Sequence, residues 1–155
     1  MSTARPEQLY ETDFYAWTKA QAKELRRFAR TRPNLPLDLG HIAEEIEDLG
    51  MSERSAVVSF VRLIIQHFLL ATHSPTAEPR QHWLDEVDEF RSQIEDKLTP
   101  TIRRKVEAEL DAIYSRARRN AARKMRRYGE QEAAAALPEA CPYTLEQILG
   151  DWEPA

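Results

Sequence analysis

Residues 55–73 read Ser-Ala-Val-Val-Ser-Phe-Val-Arg-Leu-Ile-Ile-Gln-His-Phe-Leu-Leu-Ala-Thr-His, the most apolar stretch of a 155-residue chain. Its polar residues are ordered. Ser55, Ser59, Arg62, Gln66 and His73 recur at spacings of four, three, four and seven, which on a helix turning about 100° per residue puts them on one narrow stripe. The rest of the cylinder is apolar apart from His67 and Thr72. A surface helix shows a wide polar face. A narrow one predicts the central helix of an all-helical domain, with neighbours on most sides. A bilayer span needs roughly 20 apolar residues, and Arg62, Gln66 and His67 interrupt this run too soon, so no membrane partner is expected. His67 lies off the stripe among Phe60, Leu63, Ile64, Leu70 and Ala71, which predicts a partly buried imidazole in need of a hydrogen-bond partner.

Composition agrees with a helical protein. Glycine is scarce, at four residues, and Ala, Leu, Glu and Arg, all good helix formers, are abundant. The net charge of −4 gives no overall attraction to nucleic acid or acidic membranes. A single cysteine, Cys141, forms no intrachain disulfide and points to a reducing, cytoplasmic setting. The N-terminus has no apolar core of a signal peptide.

Outward from the centre, residues 1–9 read as a flexible tail and 10–155 as one domain. Phe14, Trp17, Gln21, Leu25 and Phe28, with Tyr10 a turn earlier, predict a helix from about Thr12 to Arg30, capped by Thr12 and favoured by Asp13 near its positive end. Thr31 to Pro36 is a turn. Asp38 caps the next helix, with Leu39, Ile42, Ile46 and Leu49 as its buried stripe. Gly50 either ends that helix or kinks it, with Ser52 able to cap a new start. Prolines between Ser74 and Pro79 close the central helix. Trp83, Val87, Phe90, Ile94 and Leu98 predict another from Arg80, with Asp85, Glu86, Asp88, Glu89, Glu95 and Asp96 on its outer face. Thr99-Pro100 starts the longest helix. Its stripe of Ile102, Val106, Leu110, Ile113, Ala117, Ala121, Met125 and Tyr128 reaches Gly129, a C-terminal cap. Thr144 caps a short helix through Leu145, Ile148 and Leu149, and Trp152 packs back on the core. The expected fold is an all-α, single-domain helical bundle of four to five long antiparallel helices plus a short C-terminal helix.

Several of these residues also carry a resemblance. Tyr10-Glu11-x-Asp13-Phe14-Tyr15-x-Trp17 comes first. Leu37-Asp38, Glu44-Glu45-Ile46, Leu49-Gly50, His67 in its apolar run, Pro75 and Trp83 follow. Pro138-Glu139-x-Cys141-Pro142-Tyr143-Thr144-Leu145 ends the series. Together, from Tyr10 to Pro154, they resemble the bacterial "domain of unknown function 29" family. The resemblance implies a small, single-domain, all-helical protein of a kind found mainly in cyanobacteria and proteobacteria, and it brings no established activity. Where that family usually has Leu-Lys-Trp after the histidine, Leu69-Leu70-Ala71 stands here, so no role for a lysine or tryptophan carries over at that place.

Two constellations are candidates for function. The first joins His67 to Glu45 and Asp13, which border the stripes of their own helices. Together they could bind a divalent metal, as carboxylate–histidine sites in bundles do, or act as an acid–base pair. The chain has no Glu-x-x-His or His-Glu-x-x-His. The plainer reading is a core histidine satisfied by Glu45 or a backbone carbonyl, with Glu44, Glu45, Glu47 and Asp48 as a solvated face and no cofactor. The second candidate is basic. Ala112 to Gly129 holds seven basic residues and no acidic one, so the remainder of a chain of net charge −4 carries −11. Arg116, Arg119, Arg123 and Arg127 line up on one side, which suits a protein partner, self-association or nucleic acid. Against nucleic acid, no aromatics interleave with these arginines. The acidic helix at Asp85 to Asp96 is also a ready intramolecular partner. Cys141 has no neighbouring base and reads as structural. No catalytic residue can be named. The leading expectation is a non-enzymatic interaction or regulatory module. A metal-binding or hydrolytic bundle centred on His67 and Glu45, or a nucleic-acid-associated protein, are the alternatives.

Overall fold

In a computed structural model the structure describes residues 5–76 and 78–155. Among the described residues there are eight helices and no strand: α1 Pro6–Thr12, α2 Phe14–Thr31, α3 Leu39–His73, α4 Arg80–Glu95, α5 Pro100–Ala108, α6 Leu110–Arg127, α7 Gln131–Ala135 and α8 Leu145–Leu149. The chain divides into two compact units. One runs to Ala56 and takes in Lys97–Arg104; the other comprises Val57–Asp96 and Lys105–Ala155.

The longest helix is α3, at 35 residues, not the one that begins at Pro100. Gly50 does not end it. Gly50 is instead buried where α2 comes close: a Cβ there would stand 2.1 Å from Thr18 Oγ1. The long helix expected from Pro100 to Gly129 is divided at Glu109, which leaves the α region (φ −99°, ψ 6°) while its N–H is shared between Lys105 O and Val106 O. Among the described residues Gly129 has the one positive φ, 78°, as a C-terminal cap requires.

In the first unit the buried face is made of small residues. Thr18 and Ala22 of α2 and Ala43 of α3 are fully buried, with Tyr15 and Leu39 at the ends. The larger residues of the expected stripes are turned outward: Ile42, Leu49 and Phe28 are 40, 56 and 45% exposed. The physical reason is the close α2–α3 approach at Gly50, which admits only small side chains in the seam. Phe14 and Trp17 stack at 5.7 Å and meet the edge of Tyr10 at 5.6 and 4.8 Å. These contacts hold Pro6–Thr12 as a helix where a tail was expected, with Pro6 in the first turn; the tail expected at residues 1–4 lies outside the described residues. Asp13, not Thr12, caps α2, accepting from Ala16 N at 3.0 Å.

The second unit buries the large residues. Val61, Ile64, Ile65, Phe68, Leu69 and Leu70 of α3 are fully buried, against Trp83, Leu84 and Val87 of α4 and Ile113, Tyr114, Ala117, Ala121 and Met125 of α6. Ser55 and Ser59 are exposed and Arg62, Gln66 and His73 half-buried, as the polar stripe requires. By length and composition α3 could cross a bilayer, yet half of its most apolar window is buried within the fold. Thr144 caps α8 in a full capping box with Gln147. Buried Arg91 donates to the carbonyls of Ile148 (3.0 Å), Gln147 (3.0 Å) and Trp152 (2.7 Å), and Arg80 to Pro154 O at 2.7 Å. Trp152 lies edge-on to Phe68 at 5.4 Å while keeping 37% of its surface exposed.

Candidate functional site: a basic groove between two helices

The buried stripe of α6 fixes its neighbours. With Ile113, Ala117, Ala121 and Met125 inward, the positions Arg116, Asn120, Arg123, Lys124 and Arg127 form the next row around the cylinder. In the second unit this row faces the polar stripe of α3. Arg62, Leu63 and Gln66 on one wall, and Asn120, Arg123, Lys124, Arg127 and Tyr128 on the other, enclose a groove of about 490 Å³. It continues past Arg62 into a narrower cavity of about 260 Å³ between Val58, Ser59, Glu109, Ala112, Ile113 and Arg116. No acidic residue lines the wide part.

Glu109 is an acidic residue of the narrow part, and it is not ion-paired with the arginines of the groove. Among the described residues, Arg62, Arg116, Arg123 and Arg127 make no ion pair. Among the described residues no member of the acidic face of α4, expected as their intramolecular partner, pairs with them, and three of its six carboxylates are engaged elsewhere. Glu86 meets His67 and His82, Asp88 meets Arg91 at 3.6 Å, and Asp85 accepts from Gln81. Lys124 holds its ammonium 5.7 Å from the centre of the Trp83 ring. Tyr128, expected at the end of the buried stripe, is 59% exposed and lines the groove, so one aromatic does accompany the arginines. The groove takes in Arg116, Arg123 and Arg127 of the sequence-predicted set. Arg119 falls on the neighbouring row, which turns it with Arg118 and Arg126 toward Ala134 and Ala135 of α7.

Of the other candidate constellation, Asp13 and Glu45 belong to the first unit and His67 to the second. Glu45 and His67 lie about six turns apart on one continuous helix, and Glu45 is exposed. His67, 6% exposed, places Nδ1 2.7 Å from Leu63 O and Nε2 2.5 Å from Glu86 Oε2. The carbonyl can only accept, so Nδ1 is the donor to it. The ring also meets Phe90 edge-on at 5.3 Å. The expected backbone carbonyl is there, and the carboxylate is Glu86 in place of Glu45. Asp13 is buried with both oxygens committed: Oδ1 to Ala16 N, Oδ2 to Thr101 N (2.8 Å) and Thr101 Oγ1 (2.7 Å). Burial works to raise its pKa, but these bonds outweigh it and hold the carboxyl below its ordinary 3.8. Among the described residues no three His, Cys, Asp or Glu side chains gather as a metal set would require. A larger depression in the first unit, about 710 Å³, is lined by both signs. Part of its charge is compensated locally, Glu47 by Arg26 (2.7 Å) and Lys19 (3.5 Å) and Asp38 by His41 (2.5 Å), while Glu44 and Asp48 make no ion pair among the described residues.

The C-terminal motif is structural. Pro138 O accepts from Tyr114 Oη (2.5 Å) and Arg118 Nε (2.9 Å). Cys141 Sγ lies 3.4 Å from Tyr143 O. Burial pushes the Cys141 thiol up, away from a reactive thiolate, and pushes the Tyr143 hydroxyl up to about 12.

Fold and groove together define an all-helical protein with a basic cleft and no recognisable catalytic constellation among the described residues. The chain belongs to the family described as domain of unknown function DUF29, which matches residues 9–153. It is similar to the crystal structure of an alpha-helical protein of unknown function from Rhodospirillum rubrum, with 33% identity and a TM-score of 0.77 over 92% of this chain and 89% of that one. No curated protein matches the chain.

Proposed function

We propose that the protein is a non-enzymatic interaction module whose α3–α6 groove receives an acidic segment of a protein partner. The observation that carries this reading is four unpaired arginines, Arg62, Arg116, Arg123 and Arg127, lining one cleft from two helices. In the wide part every charged lining residue is a cation, while Glu109 lines the narrow part with Arg116; a concave surface lined by one sign of charge focuses the field and speeds encounter with its opposite. Val58, Leu63, Ala112 and Ile113 give the same cleft an apolar component, which suits side chains of a protein segment. A long polyanion would run off the groove onto a chain that carries −11 outside residues 112–129.

The test is fluorescence anisotropy with a labelled glutamate-rich peptide against the full chain, at low and at physiological salt. Binding that weakens as salt rises, and that the variant Arg123→Glu/Arg127→Glu abolishes while its circular dichroism is unchanged, supports the reading. Absence of binding at low salt overturns it.

A further inference from the structure

We infer that the wide part of this groove reads a phosphomonoester on the partner segment. This rests on the groove being the partner site, and it names the group that the site is built to take. The argument is one of valence. A carboxylate brings one negative charge and two oxygens, and one arginine fork already matches its charge and its geometry. Here three guanidiniums, from Arg62, Arg123 and Arg127, line one recess of about 490 Å³, with Lys124, Asn120, Gln66 and Tyr128 as further donors and no carboxylate among them. All the charged groups that line this recess are cations, and none of the three guanidiniums is spent on an acid elsewhere among the described residues. A phosphomonoester carries close to two negative charges at neutral pH and three terminal oxygens, so it can accept from several guanidiniums at once. A phosphodiester, with one charge and two free oxygens, uses fewer of them at a single point.

The narrower cavity adds a second contact. Arg62 lines both parts, so the two are adjacent. Val58, Ala112 and Ile113 make the narrow part the more apolar of the two. The segment that fits places a phosphorylated side chain in the wide part and an apolar side chain beside it.

Three labelled peptides decide this. They are identical except at one position, which holds phosphoserine, glutamate or serine, with a leucine nearby and acidic flanks. Anisotropy is followed against the full chain. The expected result is binding of the phosphoserine peptide at least about tenfold tighter than its glutamate twin, the effect of adding one or more charge-assisted hydrogen bonds. Arg123→Gln/Arg127→Gln should remove that preference. Lys23→Gln/Arg30→Gln, which subtracts the same charge at exposed sites of α2, should leave it. Equal affinity for the phosphoserine and glutamate peptides overturns the phosphomonoester while leaving an acidic-partner groove. Failure of all three peptides to bind overturns both. A single-stranded oligonucleotide that binds tighter than the phosphopeptide also overturns the inference and assigns the groove to nucleic acid.

Discussion

Gly50 is the most exacting position in the first unit. Replacing a mid-helix glycine by alanine ordinarily stabilises a helix by about 0.5–1 kcal/mol, because the glycine gives up more backbone freedom on folding. Nothing in the backbone opposes the change, since Gly50 lies within α3 and, among the described residues, Gly129 alone has a positive φ. Space opposes it. The new methyl would stand 2.1 Å from Thr18 Oγ1, 3.2 Å from its Cβ and 3.5 Å from its Cγ2. Thr18 is fully buried and donates to Tyr15 O at 2.7 Å, so moving its hydroxyl away forfeits a hydrogen bond worth about 1 kcal/mol. Separating the helices instead costs about 1–3 kcal/mol, as overpacked cores do. The net expectation for Gly50→Ala is a loss of about 1–3 kcal/mol, read in urea as a lower midpoint at unchanged slope. Thr18→Ala removes the hydroxyl and the methyl and leaves only the 3.2 Å Cβ contact, which a shift of a few tenths of an ångström relieves. In that background Gly50→Ala should be neutral or stabilising by up to about 1 kcal/mol, a coupling of roughly 2 kcal/mol between neighbours. Equal destabilisation in both backgrounds would refute the contact and return the glycine to the role of a kink.

Two further outcomes follow from the hydrogen bonds. Arg91→Met keeps the length of the side chain but strands the carbonyls of Gln147, Ile148 and Trp152. It should cost about 3 kcal/mol or more, and hydrogen exchange should show protection lost first in residues 145–154; unchanged protection there would mean the arginine does not hold the segment. Asp13 supplies a pH dependence. Its folded carboxyl sits below 3.8, so the unfolded chain binds the proton first. Its contribution is complete above that ordinary value and is lost as pH falls through the folded one. Asp13→Asn, whose amide cannot accept from both Ala16 and Thr101, should lower the melting temperature at neutral pH by the equivalent of about 1–3 kcal/mol. The gap to wild type should close in acid. A gap constant down to acid pH would show that the charge plays no part.

The second unit was the legible half. Most of its large residues obey one period: what the spacing placed inward at Trp83, Val87, Ile94, Val106, Ile113 and Met125 is buried, because large side chains must be covered and one face covers them; Tyr128 at the end of the stripe is exposed. The first unit broke the rule that size marks the core. Its seam is built from Thr18, Ala22, Ala43 and Gly50, and small residues carry almost no hydrophobic signal, so the periodicity followed Ile42, Leu49 and Phe28 to the outside. Thr12 lost the cap to Asp13 for a different reason. Both are good capping residues, and the choice was made by Thr101, 88 positions away, which binds the second Asp13 oxygen.

The same distinction separates the two candidate sites. His67 needed a partner, and the place of Glu45 beside the expected buried stripe of its helix drew attention there, although Glu86 is the nearer in sequence, 19 residues away. Glu45 is a residue of the same helix, α3. Glu86 was the better choice even from spacing, since it stands three residues after Trp83 and four before Phe90 and so lies at the edge of the buried face of α4 rather than on the outer one. An imidazole closed off by Leu63 O and Glu86 has no nitrogen left to offer a ligand unless that pair opens. Arg62 went the other way. It belonged to the polar stripe of the central helix, and Arg116, Arg123 and Arg127 belonged to a stripe more than 50 residues later. Each stripe alone looks like a solvated face. Packed against each other they are the two walls of one groove, and four like charges with no neutralising carboxylate in its wide part put the question of function there rather than at the buried histidine.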